Sequence, residues 1–196
     1  MQIRRSHAFV AAAAAVPLIM VGMAPLASAD SSPKPAHSAQ TFGTGCSSMP
    51  TSGKGSAAEA AKKKTGDAIA DNKDLSKLHD ALKKAGLDKK LNDATHVTVF
   101  APTNAAFDKL SKTELDSLMK NPDQLKKALE YHVVDKNITR TDLAKGSFTT
   151  LEGSKLMTSG SGENYKVNGT ATITCGDIET MNGHLNLVDS VLMPSS

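Results

Sequence analysis

Apolar residues recur at helical spacing through the first half of the chain, whereas short segments of strand character fill the second half. Leu75, Leu78 and Leu82 fall on one face of a helix that is predicted to begin at Asp74 and to end at Gly86. Capping residues and apolar spacing predict further helices at 57–66, 111–119 and 121–132. The first half is therefore predicted to form amphipathic helices that cover a core.

The C-terminal third has the pattern of a β-meander. Turn pairs such as Glu152-Gly153 and Asn168-Gly169 separate strands predicted at 148–151, 155–158, 165–167, 171–175 and 185–188. The earlier segment 97–100 must pair with this group, because an isolated strand leaves its backbone groups unsatisfied. We therefore expect one α+β domain.

The N-terminal segment predicts export. Two arginines, an apolar stretch and a closing Ala-Ser-Ala are typical of a secretory signal peptide over 1–29. A membrane-spanning helix is the alternative, but Pro17 and Pro25 interrupt the apolar stretch. Residues 30–55 are rich in Pro, Ser and Gly and predict a flexible arm before a folded domain at 56–196. We expect a secreted or loosely cell-wall-associated protein without stable membrane insertion after cleavage.

The composition narrows the range of partners. The formal net charge is only +3, and it falls towards zero once the two arginines of the signal peptide are removed. The chain has no Trp and only two Tyr and five Phe, so it lacks the basic excess and the aromatic platforms that nucleic-acid binding requires. We therefore expect no nucleic-acid partner, and we expect a monomer.

Two cysteines, Cys46 and Cys175, allow one intramolecular disulfide bond. Export to an oxidising compartment favours that bond, which would attach the arm to the folded body. Two buried free thiols and an intermolecular link are the alternatives.

Three segments, at 98–107, 131–134 and 182–194, together resemble the fasciclin family. The positions that carry these motifs are Thr98, Phe100, Pro102, Thr103, Asn104, Phe107, Tyr131, His132, Asn182, Gly183 and Asp189. Within the family, the chain looks most similar to secreted actinobacterial antigens with a single fasciclin domain. The resemblance implies a wedge-shaped β-sandwich with a helical layer, and adhesion outside the cell as the broad function. It implies no enzyme activity.

The motif residues have a structural interpretation as well as a functional one. A histidine on an apolar helix face is more often a hydrogen-bonded core residue than a ligand, so we expect Tyr131 and His132 to be structural. In the family, segments around this element are implicated in adhesion. We therefore expect neighbouring exposed residues, Asp135, Lys136 and Arg140, to form the adhesion surface.

Three functional hypotheses follow. The first is recognition of a surface protein or glycan. The second is binding of a small apolar ligand or lipid, which requires a dry cavity of about 300 Å³ or more between helices and sheet. The third is a hydrolase, which requires His132 or His184 in a cleft beside a Ser hydroxyl and a carboxylate. The histidines lack the spacing of a zinc site and no glycine loop precedes a helix, so the sequence predicts no metal or other cofactor.

Overall fold

The computed structural model describes residues 41–194. The predicted signal peptide and the first part of the predicted arm lie outside the described residues. The α-helices of the described part are α1 (Ala57–Ala60), α2 (Thr65–Asp71), α3 (Ser76–Ala85), α4 (Asp88–Asp93), α5 (Asn104–Asp108), α6 (Lys112–Lys120), α7 (Pro122–Tyr131) and α8 (Arg140–Leu143). The strands are β1 (Val97–Pro102), β2 (Val133–Val134), β3 (Lys145–Thr149), β4 (Lys155–Ser161), β5 (Asn164–Val167), β6 (Ala171–Thr180) and β7 (Gly183–Val188). Two 3-10 helices lie at Thr44–Ser48 and Lys73–Leu75.

These strands form one sheet in the order β2-β1-β7-β6-β5-β4-β3. Strands β3 to β7 pair antiparallel in sequence order, which confirms the predicted meander. Strand β1 pairs in parallel with β7 and antiparallel with β2. The sheet then curls until its two ends meet, because Val134 bridges to Thr150 and the Leu151 N–H donates to the Val133 carbonyl. The fold is α+β, as predicted.

The curled sheet divides the core into two parts. Alternate strand residues such as Val99 and Leu185 face the helices and pack with apolar residues of α2 to α7. The intervening positions, such as Phe100 and Val188, face the interior of the curled sheet and pack with Leu156 and other residues of the meander. This division follows from the two-residue period of a strand, which sends successive side chains to opposite faces.

Most predicted helices are confirmed. The Ser56 hydroxyl accepts the Glu59 N–H at the start of α1, and Gly86 ends α3 in the left-handed region at φ 67°. Ser111 and Glu114 form the predicted capping box of α6. His132 caps the C-terminal end of α7 immediately before β2, so it lies at the predicted helix-to-strand junction.

The prediction that the first helix continues to Gly66 is wrong. Helix α1 ends at Ala60, and Gly66 lies inside α2 instead. A tertiary contact explains the break, because the Lys63 carbonyl accepts the Met181 N–H at 2.8 Å and is drawn out of a continuous helix. Helices α2, α4 and α8 were not predicted, since each has at most seven residues and too few apolar positions to show a helical period.

The described part of the predicted arm packs against the folded body. Phe42 is 1% exposed and exchanges two backbone hydrogen bonds with Gly176. Cys46 and Cys175 form the predicted disulfide bond, with a Cα–Cα distance of 4.7 Å. Flexibility over the whole of 30–55 is therefore an incorrect expectation for residues 41–49, because burial of Phe42 and the bridge offset the entropy of ordering this segment.

Candidate functional site

His132 connects α7 to the C-terminal segment. Its ring is 1% exposed, Nδ1 lies 2.7 Å from the Ala128 carbonyl oxygen, and the Leu192 N–H donates to Nε2 at 2.9 Å. Since Nε2 accepts a hydrogen bond, the proton of the neutral ring must be on Nδ1. Burial lowers the pKa of His132 to about 4, although the bond to Ala128 opposes this shift. Both nitrogens are therefore occupied by backbone groups, and the ring is neutral at physiological pH.

Tyr131 is also used internally. Its hydroxyl donates to the Lys155 carbonyl at 3.1 Å and accepts from the Asn168 side-chain amide at 2.8 Å. Asn168 has φ 51° in the turn before β6 and also accepts the Met157 N–H. Tyr131 thereby connects the end of α7 to the meander.

The first signature segment builds a corner of the domain. Phe100 is fully buried, and Pro102 is the last residue of β1. The Thr103 hydroxyl accepts the Ala106 N–H and caps α5, which buries Phe107. The Asn104 side chain joins the same corner to α3, by accepting the Lys77 N–H, and to the 3-10 helix before α3, by donating to the Lys73 carbonyl.

Asn182 and Gly183 position β7. The Asn182 side chain accepts the Thr65 N–H and donates to the Leu91 and Ala94 carbonyls, so it connects the start of α2 and the end of α4 to the sheet. Gly183 lies against β1 so closely that a Cβ atom would be 1.7 Å from the Val97 carbonyl oxygen. Only glycine fits at this position.

Asp189 connects the segment that follows β7 to the rest of the domain. Its carboxylate accepts the Thr172 N–H at 2.8 Å and lies 3.0 Å from the Lys109 ammonium group. Partial burial would raise the pKa of Asp189, but these hydrogen bonds outweigh burial and lower it.

The three residues expected to form an adhesion surface do not lie in one continuous exposed patch. Asp135 and Lys136 are exposed in the segment that follows β2. Arg140 is half-buried at the start of α8, where its guanidinium lies 3.0 Å from the Glu163 carboxylate and 5.0 Å from the centre of the Phe42 ring. Asp135 and Lys136 therefore stay available at the surface, whereas Arg140 is already paired and belongs to a separate depression.

That depression, which we name the His184 pocket, has a volume of about 420 Å³ and is lined by Thr139, Arg140, Thr141, Ala144, Tyr165, Asp177 and His184. His184 Nδ1 lies 2.9 Å from Asp177 Oδ1, and the two side chains are 15% and 10% exposed. The approach lacks hydrogen-bond geometry, so both atoms are buried without a hydrogen-bond partner.

A β-bulge directs Asp177 into the pocket. The register of β6 against β7 shifts between Cys175 and Ile178, and Asp177 between them has φ 57°. The Asn186 side chain supports this conformation by accepting the Asp177 N–H at 3.0 Å. A left-handed aspartate costs free energy, and bulges are known to redirect side chains next to functional sites.

Sequence reasoning did not identify this pocket. The signal was present in β7, where His184 and Asn186 alternate with the apolar residues Leu185 and Leu187. This alternation places polar side chains on the face opposite the helices. Asp177 lies beside them only because of the bulge in β6, and no short sequence pattern predicts this bulge.

Beside α1 and α2, the helices and the sheet pack closely. The space between Ala60, Ala68, Ile178 and Leu185 has a volume of about 10 Å³, far below the roughly 300 Å³ of a small-molecule cavity. Larger depressions open on the surface instead. One of about 380 Å³ lies between α6 and α7 beside Met193, and one of about 600 Å³ includes Asp135.

The hydrolase hypothesis finds two of its three elements at His184. A carboxylate lies beside the ring, but the residues that line the pocket include no serine. The Thr139 hydroxyl at its rim is already bonded to Thr141 and Asp142. Across residues 41–194, no three His, Cys, Asp or Glu side chains converge in a way that could hold a metal ion.

In the same range, no helix has the length and hydropathy needed to cross a membrane.

Comparisons with known proteins agree on one family. The family model described as "Fasciclin domain" matches residues 73–194. The immunogenic protein MPB70 of Mycobacterium bovis is 35% identical over 190 residues, which cover 92% of this chain and 95% of that protein. The cell surface glycolipoprotein MPB83 of the same species is 36% identical over 189 residues, with 85% of this chain and 84% of that protein covered.

A solved structure shows the same fold. The FAS1 domain pair from the insect cell adhesion molecule Fasciclin I superposes with a TM-score of 0.58 at 22% identity. The match covers 68% of this chain and 52% of that one, so the chain spans about half of the two-domain structure.

Proposed function

This chain belongs to the fasciclin family, and we propose that it is an exported or cell-surface-associated module that recognises a protein or glycan partner and catalyses no reaction. Two relatives support the proposed location and role: one is described as a cell surface glycolipoprotein, and another as part of an insect cell adhesion molecule.

The observation that carries the proposal is the anchoring of the exposed segment at 135–137. Thr98, which is fully buried in β1, donates from its hydroxyl to the Lys136 carbonyl at 2.7 Å and accepts the Ile138 N–H at 2.9 Å. Ile138 is itself fully buried. The charged side chains of Asp135 and Lys136 are therefore presented on a backbone that is fixed at both ends, and a fixed segment loses little entropy on binding.

The internal use of the signature motifs agrees with this proposal. The polar atoms of His132 and Tyr131 form hydrogen bonds with backbone and side-chain groups of the domain itself. They hold the end of α7 and the start of β2 in place, directly before the exposed segment. The motif thus supports the contact surface without forming it.

The proposal is tested by changing the exposed segment. The mature protein, 30–196, is labelled, and its binding to cells of the producing organism and to immobilised collagen and fibronectin is measured in a solid-phase assay. The double variant Asp135→Ala/Lys136→Ala is expected to weaken binding about tenfold, which corresponds to about 1.4 kcal/mol.

A matched control is available on α6. Asp116 and Lys120 are an exposed pair of the same residue types, 3.8 Å apart. The variant Asp116→Ala/Lys120→Ala removes the same charges and is expected to bind like the unchanged protein. An equal loss in both variants, or none in the first, would contradict the proposed contact surface.

A further inference from the structure

We propose that the open edge of β3 binds an extended, acidic segment of a protein partner, which adds to the sheet as one more antiparallel strand. This inference rests on the proposed recognition function and names the chemistry of the partner. Four properties of the described residues support it: backbone groups that face away from β4, an uncovered side of the strand, a positive outer face and a position beside the exposed segment at 135–137.

The direction of the backbone groups follows from the ladder between β3 and β4. Two hydrogen bonds flank the strand: the Ala144 carbonyl accepts the Gly160 N–H at 3.2 Å, and the Thr150 N–H donates to the Ser154 carbonyl at 3.0 Å. Bonded positions recur at every second residue of an antiparallel pair, so the even-numbered residues of β3 bond to β4. The N–H and C=O groups of Lys145 and Ser147 therefore point to the opposite side.

This opposite side is covered at one end only. Strand β3 is the last strand in the sheet order and pairs along its length with β4. Strand β2 reaches only its C-terminal end, where Val134 bridges to Thr150. In the described part of the chain, the backbone groups of Lys145 and Ser147 form no hydrogen bond on this side, and both residues are exposed. An edge with free donors and acceptors is a template for a further strand.

The outer face of β3 and β4 carries positive charge. Its exposed positions alternate along the two strands and are Lys145, Ser147, Thr149, Lys155, Met157 and Ser159. Neighbouring strands lie about 4.8 Å apart, so a side chain on the outer face of an added strand would lie directly beside Lys145. An acidic side chain is attracted at this position and a basic one is repelled.

The carboxylates near this edge do not cancel the charge of Lys145. At the same end of β3, Asp142 accepts two hydrogen bonds in the capping box of α8, and Glu163 lies 3.0 Å from the Arg140 guanidinium. Two further carboxylates lie at the far end of the strand and belong to Asp135 and Glu152. The attraction for an acidic partner is therefore strongest beside Lys145.

The backbone groups favour a protein segment over other anionic partners. A lysine attracts an anionic polysaccharide as well as a peptide, but an extended peptide also presents N–H and C=O groups at the two-residue repeat of the strand edge. A second copy of this chain would bring its own Lys145 and Lys155 to the same edge, and the like charges oppose that pairing.

The edge also adjoins the proposed contact segment. Asp135 follows the residue that bridges to Thr150, and Lys136 Nζ lies 6.0 Å from the centre of the Phe148 ring in β3. The segment and the edge therefore form one surface. A partner can pair with β3 while its adjacent residues contact Asp135 and Lys136.

The test uses the mature protein and defined probes. The probes are seven-residue peptides with blocked ends in which glutamate alternates with valine, threonine or tyrosine, the same peptides with lysine in place of glutamate, and polygalacturonate as an anionic polysaccharide. Binding is followed by amide shifts and hydrogen exchange at 144–150. We expect a glutamate peptide to protect the N–H groups of Lys145 and Ser147, which exchange rapidly in the free protein, and the other probes to leave them unchanged. The N–H groups of Gly146 and Phe148 should be protected with or without peptide, because they face β4.

Methylated peptides separate backbone pairing from charge attraction without any change to the protein. In an antiparallel pair, the glutamates on the outer face point their N–H groups at β3, whereas the N–H groups of the intervening residues point away. Methylation of the glutamate nitrogens is therefore expected to abolish binding. Methylation of the intervening nitrogens, which keeps the same charge, is the matched control and is expected to preserve binding.

Two lysines of one cross-strand row test the position of the partner. Lys145 pairs with Ser159, which in turn pairs with Lys166, and both lysines are exposed. Lys145→Glu should weaken binding of the glutamate peptide about tenfold, because an attraction becomes a repulsion. Lys166→Glu makes the same change about 14 Å from the added strand, beyond the screening length at physiological salt, and should have little effect.

Ser147→Pro tests the edge itself. Proline removes the outward-facing N–H but no bond of the ladder with β4, which is why proline is tolerated on edge strands. The variant is expected to keep the native circular dichroism spectrum and to lose peptide binding.

The outcomes are distinct. Binding of a glutamate peptide that is lost on methylation of its glutamate nitrogens and weakened by Lys145→Glu supports the inference. It is overturned if Ser147 N–H is protected in the free protein, if no glutamate peptide binds, if the lysine peptides bind equally, if binding survives methylation of the glutamate nitrogens, or if polygalacturonate shifts the same amides instead.

The same data distinguish this inference from the recognition function. If the edge fails these tests while attachment to cells still depends on Asp135 and Lys136, the edge assignment falls and the recognition function stands. Failure of both rejects both.

Discussion

Acidification should weaken this domain through one buried ring. The pKa of His132 is lowered by burial from its usual 6.5 to about 4 in the folded chain, while in the unfolded chain it returns to the usual value. Between these values the unfolded state binds the proton and the folded state does not. The stabilising contribution is therefore complete above about pH 6.5 and is lost as the pH falls towards 4.

The magnitude follows from the shift. Each pKa unit corresponds to about 1.36 kcal/mol, so the full titration changes the free energy of unfolding by about 3 kcal/mol. About 2 kcal/mol of this change falls between about pH 7 and pH 4.5. Carboxylates whose pKa is lowered, such as Asp189 and Asp142, contribute in the same direction but at lower pH, below their unfolded values near 4.

The assay is urea unfolding at a series of pH values for the unchanged protein and for His132→Phe. The variant keeps a ring but leaves the Leu192 N–H and the Ala128 carbonyl unpaired, so it should lose about 2–4 kcal/mol at neutral pH. Its stability should then change less with pH, and the two curves should converge on acidification. His96→Phe, which removes an exposed imidazole, is the matched control. Parallel curves for the unchanged protein and His132→Phe would refute the reasoning.

Three further predictions concern the chain as a whole. Replacing Cys46 and Cys175 by alanine opens a loop of 129 residues and should lower the free energy of unfolding by about 4 kcal/mol in urea titrations; an unchanged midpoint would contradict it. Gly183→Ala should prevent the native pairing of β1 with β7, because the added Cβ would overlap the Val97 carbonyl. A variant that keeps the native circular dichroism spectrum and melting temperature would disprove this prediction. Secretion of the full chain should release a protein that begins at Asp30. Mass spectrometry of the secreted protein measures its N-terminus, and a different first residue would contradict the prediction.

The family motifs identify the chain through its interior. The side chains of Asn182 and Thr98 each form hydrogen bonds with more than one backbone group. At Gly183 there is no room for a Cβ atom. These requirements are strict, so they leave a recognisable sequence signature. Recognition surfaces face solvent and meet no such requirement within the domain, which explains why the motifs reveal the fold more clearly than the partner.

The local predictions succeeded where a segment carries its own signal. The capping box at Ser111, the stop at Gly86 and the turns of the meander depend on residues adjacent in sequence, so their pattern is visible without the fold. They failed where a distant group intervenes. The first helix stops early because Met181 binds the Lys63 carbonyl, and the segment around Phe42 is ordered because Gly176 pairs with it.

The sequence by itself determined the α+β class, the order of most elements, the one possible intramolecular disulfide and the resemblance to a family. Each of these depends on periodicity, on turn chemistry or on residue identity. Only the tertiary structure decided which nitrogen of His132 carries its proton and that the side chains of Asp177 and His184 lie 2.9 Å apart in one pocket. The reason is geometric: these properties arise from a curled sheet and a bulge that bring together residues from different strands, and distances of this kind are not encoded in any short stretch of the chain.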